Sequence, residues 1–198
     1  MAKKLKNIFL SASIPLPDRD DKFYYTADII AIRDAVRALA TFIIPSYKLI
    51  WGGHPSITPL VRSVVESLDG NIQDHVEIYQ SEFFKKDLPE DNAFFGNIVM
   101  TGIKKDRESS LLHMRKQMIC DNYFVAGVFI GGMEGVIDEY KIFKNKHPEA
   151  LLIPLATTGA AARMIYTELD NSELNILNDS YTYLALFNSL FDNYVKER

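Results

Sequence analysis

With one cysteine, Cys120, in 198 residues, the chain can form neither an internal disulfide nor a thiolate metal cluster. Cys120 lies in an apolar helical stretch, where a lone cysteine is expected to pack as a small hydrophobe. Long apolar runs are also missing. None approaches the ~20 residues of a membrane span, and the start Met1-Ala2-Lys3-Lys4 leads into no signal-peptide segment. The expectation is a cytoplasmic, reducing setting without a membrane partner. Positive charge is scarce, since 22 basic against 26 acidic residues give a net charge of −4. A nucleic-acid surface needs a basic patch. The short runs Lys3, Lys4, Lys6 and Lys104, Lys105, Arg107 read instead as solvated faces. Neither G-x-G-x-x-G nor G-x-x-x-x-G-K-[ST] occurs, which argues against a conventional nicotinamide enzyme and a P-loop ATPase.

What is present is a 47% apolar, 24% charged composition, ordinary for a globular chain and sufficient for one domain over residues 1–198. Short apolar runs alternate with longer amphipathic ones. Strands are expected at 7–11, 47–51, 76–79, 97–100, 123–130 and 151–155. Helical spacing covers 24–43, 56–68, 107–120, 134–145, an Ala-rich stretch after Gly159, and 181–195. This alternation implies an α/β, Rossmann-like, doubly wound and mainly parallel sheet with helices on both faces. The strands are unbroken apolar runs, as coverage of both faces requires.

In such sheets ligands sit beyond the carboxyl ends of the strands, where helices begin and offer unpaired N–H groups. Four small-residue turns fall there: Ser11-Ala12-Ser13, Gly52-Gly53-His54-Pro55-Ser56, Gly131-Gly132-Met133-Glu134-Gly135 and Thr157-Thr158-Gly159. Each alone suits a tight turn, but four on one edge point to a ligand site. Arg115, in the run His113-Met114-Arg115-Lys116, carries a planar guanidinium able to clamp a phosphate or carboxylate. Glu139 falls early in the helix after Gly131-Gly132, on the same edge. Together they could stabilise an oxocarbenium-like transition state and orient water. His113 alone reads as structural.

His113-x-Arg115-Lys116, an apolar strand, then Gly131-Gly132-x-x-Gly135-x-x-x-Glu139 resembles the LONELY GUY family within the wider SLOG superfamily. That resemblance implies a nucleotide at the sheet edge and two alternatives. One is a sensor of a nucleotide-derived signal, ADP-ribose-like or cyclic, as in anti-phage systems, working with a separate effector protein. The other is hydrolysis of a nucleoside 5′-monophosphate at its N-glycosidic bond, with Arg115 and Glu139 catalytic. The ligand contacts expected are Ser11, Ser13, Gly52, Gly53, His54, Ser56, Lys116, Gly131, Gly132, Met133, Glu134, Gly135, Thr157 and Thr158, with no cofactor and no metal. The sequence departs from the enzymes' pattern at Ile130, where they have Pro, and at Val136, where they have Thr. One extra residue lies between Gly132 and Gly135, so Asp138 is an alternative to Glu139. The aromatic last helix (Tyr181, Tyr183, Leu184, Phe187, Leu190, Phe191, Tyr194) is expected to pack in the core, its remainder forming a homo-oligomer surface.

Overall fold

The computed structural model describes residues 5–68, 72–86 and 88–195; the basic residues Lys3 and Lys4 lie outside them. Six strands form one parallel sheet: β1 (Asn7–Ser13), β2 (Lys48–Trp51), β3 (Val76–Ser81), β4 (Ile98–Thr101), β5 (Phe124–Gly131) and β6 (Leu151–Leu155), in the order β4-β3-β2-β1-β5-β6. The helices are α1 (Asp21–Tyr24), α2 (Ile29–Ile43), α3 (Thr58–Val65), α4 (Arg107–Cys120), α5 (Glu134–Lys146), α6 (Ala160–Leu169), α7 (Ile176–Asp179) and α8 (Tyr183–Tyr194). The Rossmann-like architecture read from the alternation is present.

Strand side chains divide between two cores because successive residues face opposite ways. Ile8 and Leu10 of β1 join the core beneath α2, α3 and α8, while Phe9 joins the aromatic core beneath α4, α5 and α6. Phe9, Phe124, Phe129 and Phe143 meet edge-on, tilted or stacked in that second core. In the last helix Tyr183, Phe187, Leu190 and Phe191 are buried, while Leu184, and Tyr181 just before the helix, are exposed.

Local chemistry accounts for where the elements differ from the periodicity. The helix expected over 24–43 begins only at Ile29, because Asp28 caps the start by accepting from the Ala31 N–H, and Tyr24 ends the separate α1. Asp20 caps the short α1 in the same way through Lys22 N–H. Strand β1 continues two residues past Ser11, since its partner β5 continues to Gly131 and pairs it with Ser13. Helix α4 begins at its expected residue, fixed by a reciprocal Asp106–Ser109 capping box. Cys120 is half-buried at the end of α4 rather than in the core. Lys6 is tied down, donating from Nζ to the Val195 carbonyl at 3.0 Å.

Candidate functional site

From β1 the chain winds outward through β2, β3 and β4, then crosses back to place β5 and β6 on the other side. The connections from β1 and β5 therefore diverge, opening a crevice at the carboxyl ends of these two strands. A cleft of about 830 Å³ occupies that position. Its side walls are the first two and a half turns of α4 and of α5, and an outer wall comes from Phe84, Leu88 and Pro89 between β3 and β4.

Arg115 and Glu139 meet across the cleft. Arg115 Nε donates to Glu139 Oε1 at 3.3 Å, and its Nη1 to Asp138 Oδ2 at 3.2 Å. The side chains of Arg115 and Glu139 are 16% and 14% exposed, against 54% for Asp138, so Glu139 is the inner carboxylate and Asp138 the outer one. Ser11, inward-facing on β1, donates to Glu139 Oε2 at 2.5 Å. Burial raises the Glu139 carboxyl above its ordinary range, opposed by Arg115 and by the Ser11 hydrogen bond. Gly135 has a direct steric reason to be glycine, because a Cβ there would lie 2.6 Å from Arg115 Nη2. Lys116 is exposed and does not line the cleft, being turned about 100° around α4 from Arg115.

The turn after β2 forms the floor on the other side. Gly53 has φ +61, and Gln80 Nε2 donates to the carbonyls of Gly52 and Gly53 at 2.7 and 2.8 Å. His54 Nδ1 accepts from the Ser56 N–H, which leaves the neutral ring its proton on Nε2. Ser56 Oγ accepts from the Ile14 N–H at 3.1 Å and lies 2.9 Å from His54 Nδ1, joining the ends of β1 and β2. Burial lowers the His54 pKa to about 4, helped by the Arg19 charge. Ser56 and Ser11 thus brace lining residues without lining the cleft themselves.

The Gly131-Gly132 turn is held from behind. Both glycines have positive φ. The Gly132 N–H donates to the Ser13 carbonyl at 2.8 Å, and the Gly131 N–H to Thr158 Oγ1 at 2.9 Å. Val136 packs under Gly132, where a hypothetical Cβ would come within 2.3 Å of it; this is the apolar contact made at the position where the enzymes carry Thr. Met133, Glu134 and Gly135 line the cleft at the start of α5, which has no side-chain cap and carries the acidic Glu134 in its first turn. Thr157 and Thr158 do not line it. Thr157 Oγ1 is bonded to Ser180 O and Tyr183 Oη, and Thr158 Oγ1 to Leu155 O. Of the residues expected to contact ligand, Ser13, Gly52, Gly53, His54, Met133, Glu134 and Gly135 line the cleft with Arg115 and Glu139.

Arg19, Gln80, Phe84 and Lys141, for which the sequence suggests no role, also line it, as does Arg107, expected on a solvated face. Arg19 sits in the Pro- and Asp-rich connection after β1, at the ligand edge of the sheet. That position was the available signal.

A family model described as the SLOG cluster3 family matches residues 22–191. The chain belongs to the SLOG cluster3 family. A search of curated proteins finds no match. Two solved structures share the fold of this SLOG protein. The X-ray structure of TM1055 is 16% identical with a TM-score of 0.52, covering 82% of this chain and 81% of its own. The molybdenum cofactor carrier protein MCP from Chlamydomonas reinhardtii is 14% identical with a TM-score of 0.50, covering 84% and 86%. No helix among the described residues is long and apolar enough to cross a membrane.

Proposed function

We propose that this SLOG protein binds a nucleotide-derived ligand in the cleft above β1 and β5 and holds it without cleaving it. The observation that carries the reading is the uncapped start of α5 lining the same cleft as Arg115. A helix start favours a phosphate, and Arg115, whose Nε and Nη1 serve Glu139 and Asp138, adds its remaining guanidinium N–H groups as charged donors. Retention rather than cleavage is supported by Glu139, whose two carboxylate oxygens are engaged by Arg115 and Ser11. In the signalling role that the family resemblance implies, including anti-phage defence, the cleft is the receptor and a separate effector gives the response.

Hydrolysis of an N-glycosidic bond is the second reading, and one observation favours it. Burial raises the Glu139 carboxyl, and a carboxyl that keeps its proton can act as an acid toward a leaving base. One experiment separates the two. Thermal melting is followed with nucleoside monophosphates, ADP-ribose and cyclic ADP-ribose, and any stabilising compound is then chromatographed for free base. Ligand at a hundred times its dissociation constant adds about 2.7 kcal/mol. Stabilisation with intact ligand supports the sensor, and free base establishes the hydrolase. No stabilisation by any of them, or undiminished binding by Arg115→Ala, overturns the proposed site.

A further inference from the structure

The cleft is chemically two-ended. Arg115, Glu139, His54 and the start of α5 supply polar groups at its inner part. The outer part is apolar: Phe84, Leu88 and Pro89 from the β3–β4 connection face the cleft together with Leu111 and Leu112 from α4. Leu112 is 43% exposed and Phe84 is half-buried, so this wall leaves large hydrophobic surface open beside a polar site. Arg107 stands over the Phe84 ring, its Cζ 5.8 Å from the centroid. Among the described residues no carboxylate pairs with Arg107, although Glu108 follows it in the chain and also lines the cleft. Arg107 and Arg115 are eight residues apart on one helix, about 12 Å along its axis.

We infer that this outer wall is a base-recognition subsite, in which the planar aromatic ring of the ligand lies between Phe84 and the first turns of α4, with Arg107 over it. The inference rests on the nucleotide reading above and names the part of the ligand the outer cleft selects. An aromatic ring is the occupant that both features fit. Apolar side chains receive its faces, and a guanidinium that approaches the Phe84 ring to 5.8 Å can also attract a second aromatic ring placed beside it. A sugar or a bare phosphate would leave the apolar wall wet. Phe84 and Arg107 serve the ring, while Arg115 and the α5 start serve the phosphate, so the two contributions are separable.

The test compares AMP, ADP-ribose and cyclic ADP-ribose with ribose 5-phosphate, which lacks a base, by calorimetric titration of the wild type, Phe84→Ala, Phe84→Leu and Arg107→Ala. Base stacking lost to alanine weakens binding by about five- to a hundredfold. In the wild type, the best base-bearing compound is therefore expected to bind at least about tenfold tighter than ribose 5-phosphate. Phe84→Ala should reduce that ratio to within about threefold and leave ribose 5-phosphate unaffected; Phe84→Leu should fall between. Arg107→Ala should lower the ratio less than Phe84→Ala does. Equal binding of ribose 5-phosphate and the base-bearing compounds by the wild type overturns the subsite and leaves the nucleotide site standing. An unchanged ratio in Phe84→Ala also overturns it. Failure of all four compounds to bind removes both readings together.

Discussion

Ser11 Oγ donates a 2.5 Å hydrogen bond to Glu139 Oε2, joining the carboxyl end of β1 to the second turn of α5 across 128 residues of sequence. The contact exists because β1 and β5 are neighbours and α5 starts directly after β5, returning its inner face over β1. It aims the carboxylate at Arg115 and leaves Glu139 in a place where ionisation is opposed by burial.

That opposition gives a pH-dependent stability. A carboxyl whose folded pKa is raised holds its proton in the folded chain after the unfolded chain has lost it. Its contribution is therefore complete below the ordinary carboxylate range and is lost as pH climbs through the raised folded value. Glu139→Gln removes this titration and keeps a side chain of the same size. The variant's melting temperature relative to the wild type is expected to be higher at about pH 8 than at about pH 4.5, the cost of losing the Arg115 partner being common to both. Melting curves at the two pH values check it, and a difference from the wild type of equal size at both would refute the burial argument.

His54 titrates in the opposite sense. Its folded pKa, lowered to about 4, lies below the ordinary value of 6.5, so the unfolded chain takes up the proton first. The stability this ring contributes is present above pH 6.5 and is lost as pH falls toward 4. The full loss amounts to at most about 3 kcal/mol. In His54→Asn, Oδ1 can still accept from the Ser56 N–H without titrating. Urea unfolding at about pH 7 and about pH 4.5 should show the variant losing at least about 1 kcal/mol less than the wild type on acidification. His147, whose pKa burial also lowers, remains in both proteins and cancels in the comparison.

What could be read beforehand followed from local pattern. The run of β5 and the double glycine after it placed the start of α5, and α4 with Arg115 came from helical spacing. The strand order then brings these two helices side by side. Residues whose role depends on distant partners were not legible. Thr157 and Thr158 have the composition of a ligand turn, yet Tyr183 and Gly131, both 26–27 residues away, consume their hydroxyls. Phe84, Leu88 and Pro89 lie in a connection without periodicity, and only the cleft shows that they share a wall. Gln80, next to last in β3, is an ordinary polar residue until the Gly52 and Gly53 carbonyls are seen to converge on it.

Two glycine substitutions should part binding from stability. At Gly135 a new methyl meets the far end of the Arg115 side chain, which can swing away. Gly135→Ala is therefore expected to fold with a stability loss under about 1 kcal/mol while binding of the stabilising nucleotide falls sharply. At Gly159, φ is +70 and a Cβ would lie 1.8 Å from the Thr26 carbonyl oxygen, which is backbone and cannot give way cheaply. Gly159→Ala should cost at least about 1–3 kcal/mol. Denaturant unfolding alongside nucleotide titration checks both, and a Gly135→Ala protein with unchanged affinity would mean that the Arg115 position is irrelevant to the ligand.

Thr158 tests whether the shape of the Gly131-Gly132 turn governs binding from a residue that does not line the cleft. Its hydroxyl donates to the Leu155 carbonyl at 2.6 Å and accepts from the Gly131 N–H at 2.9 Å, while its own carbonyl accepts from the Asp28 N–H at 3.2 Å. Thr158→Val keeps the volume and leaves the Gly131 N–H buried without that partner, a loss of about 1–3 kcal/mol. Thr157→Val also removes a buried hydroxyl, but its partners, Ser180 O and Tyr183 Oη, belong to the segment leading into α8. Both variants should lose stability in urea. Only Thr158→Val should weaken the stabilising nucleotide, by about fivefold, equivalent to about 1 kcal/mol, because only that change frees the turn to relax. Equal affinities in the two variants would mean that the turn keeps its shape through the Ser13 carbonyl alone, leaving Thr158 a packing residue.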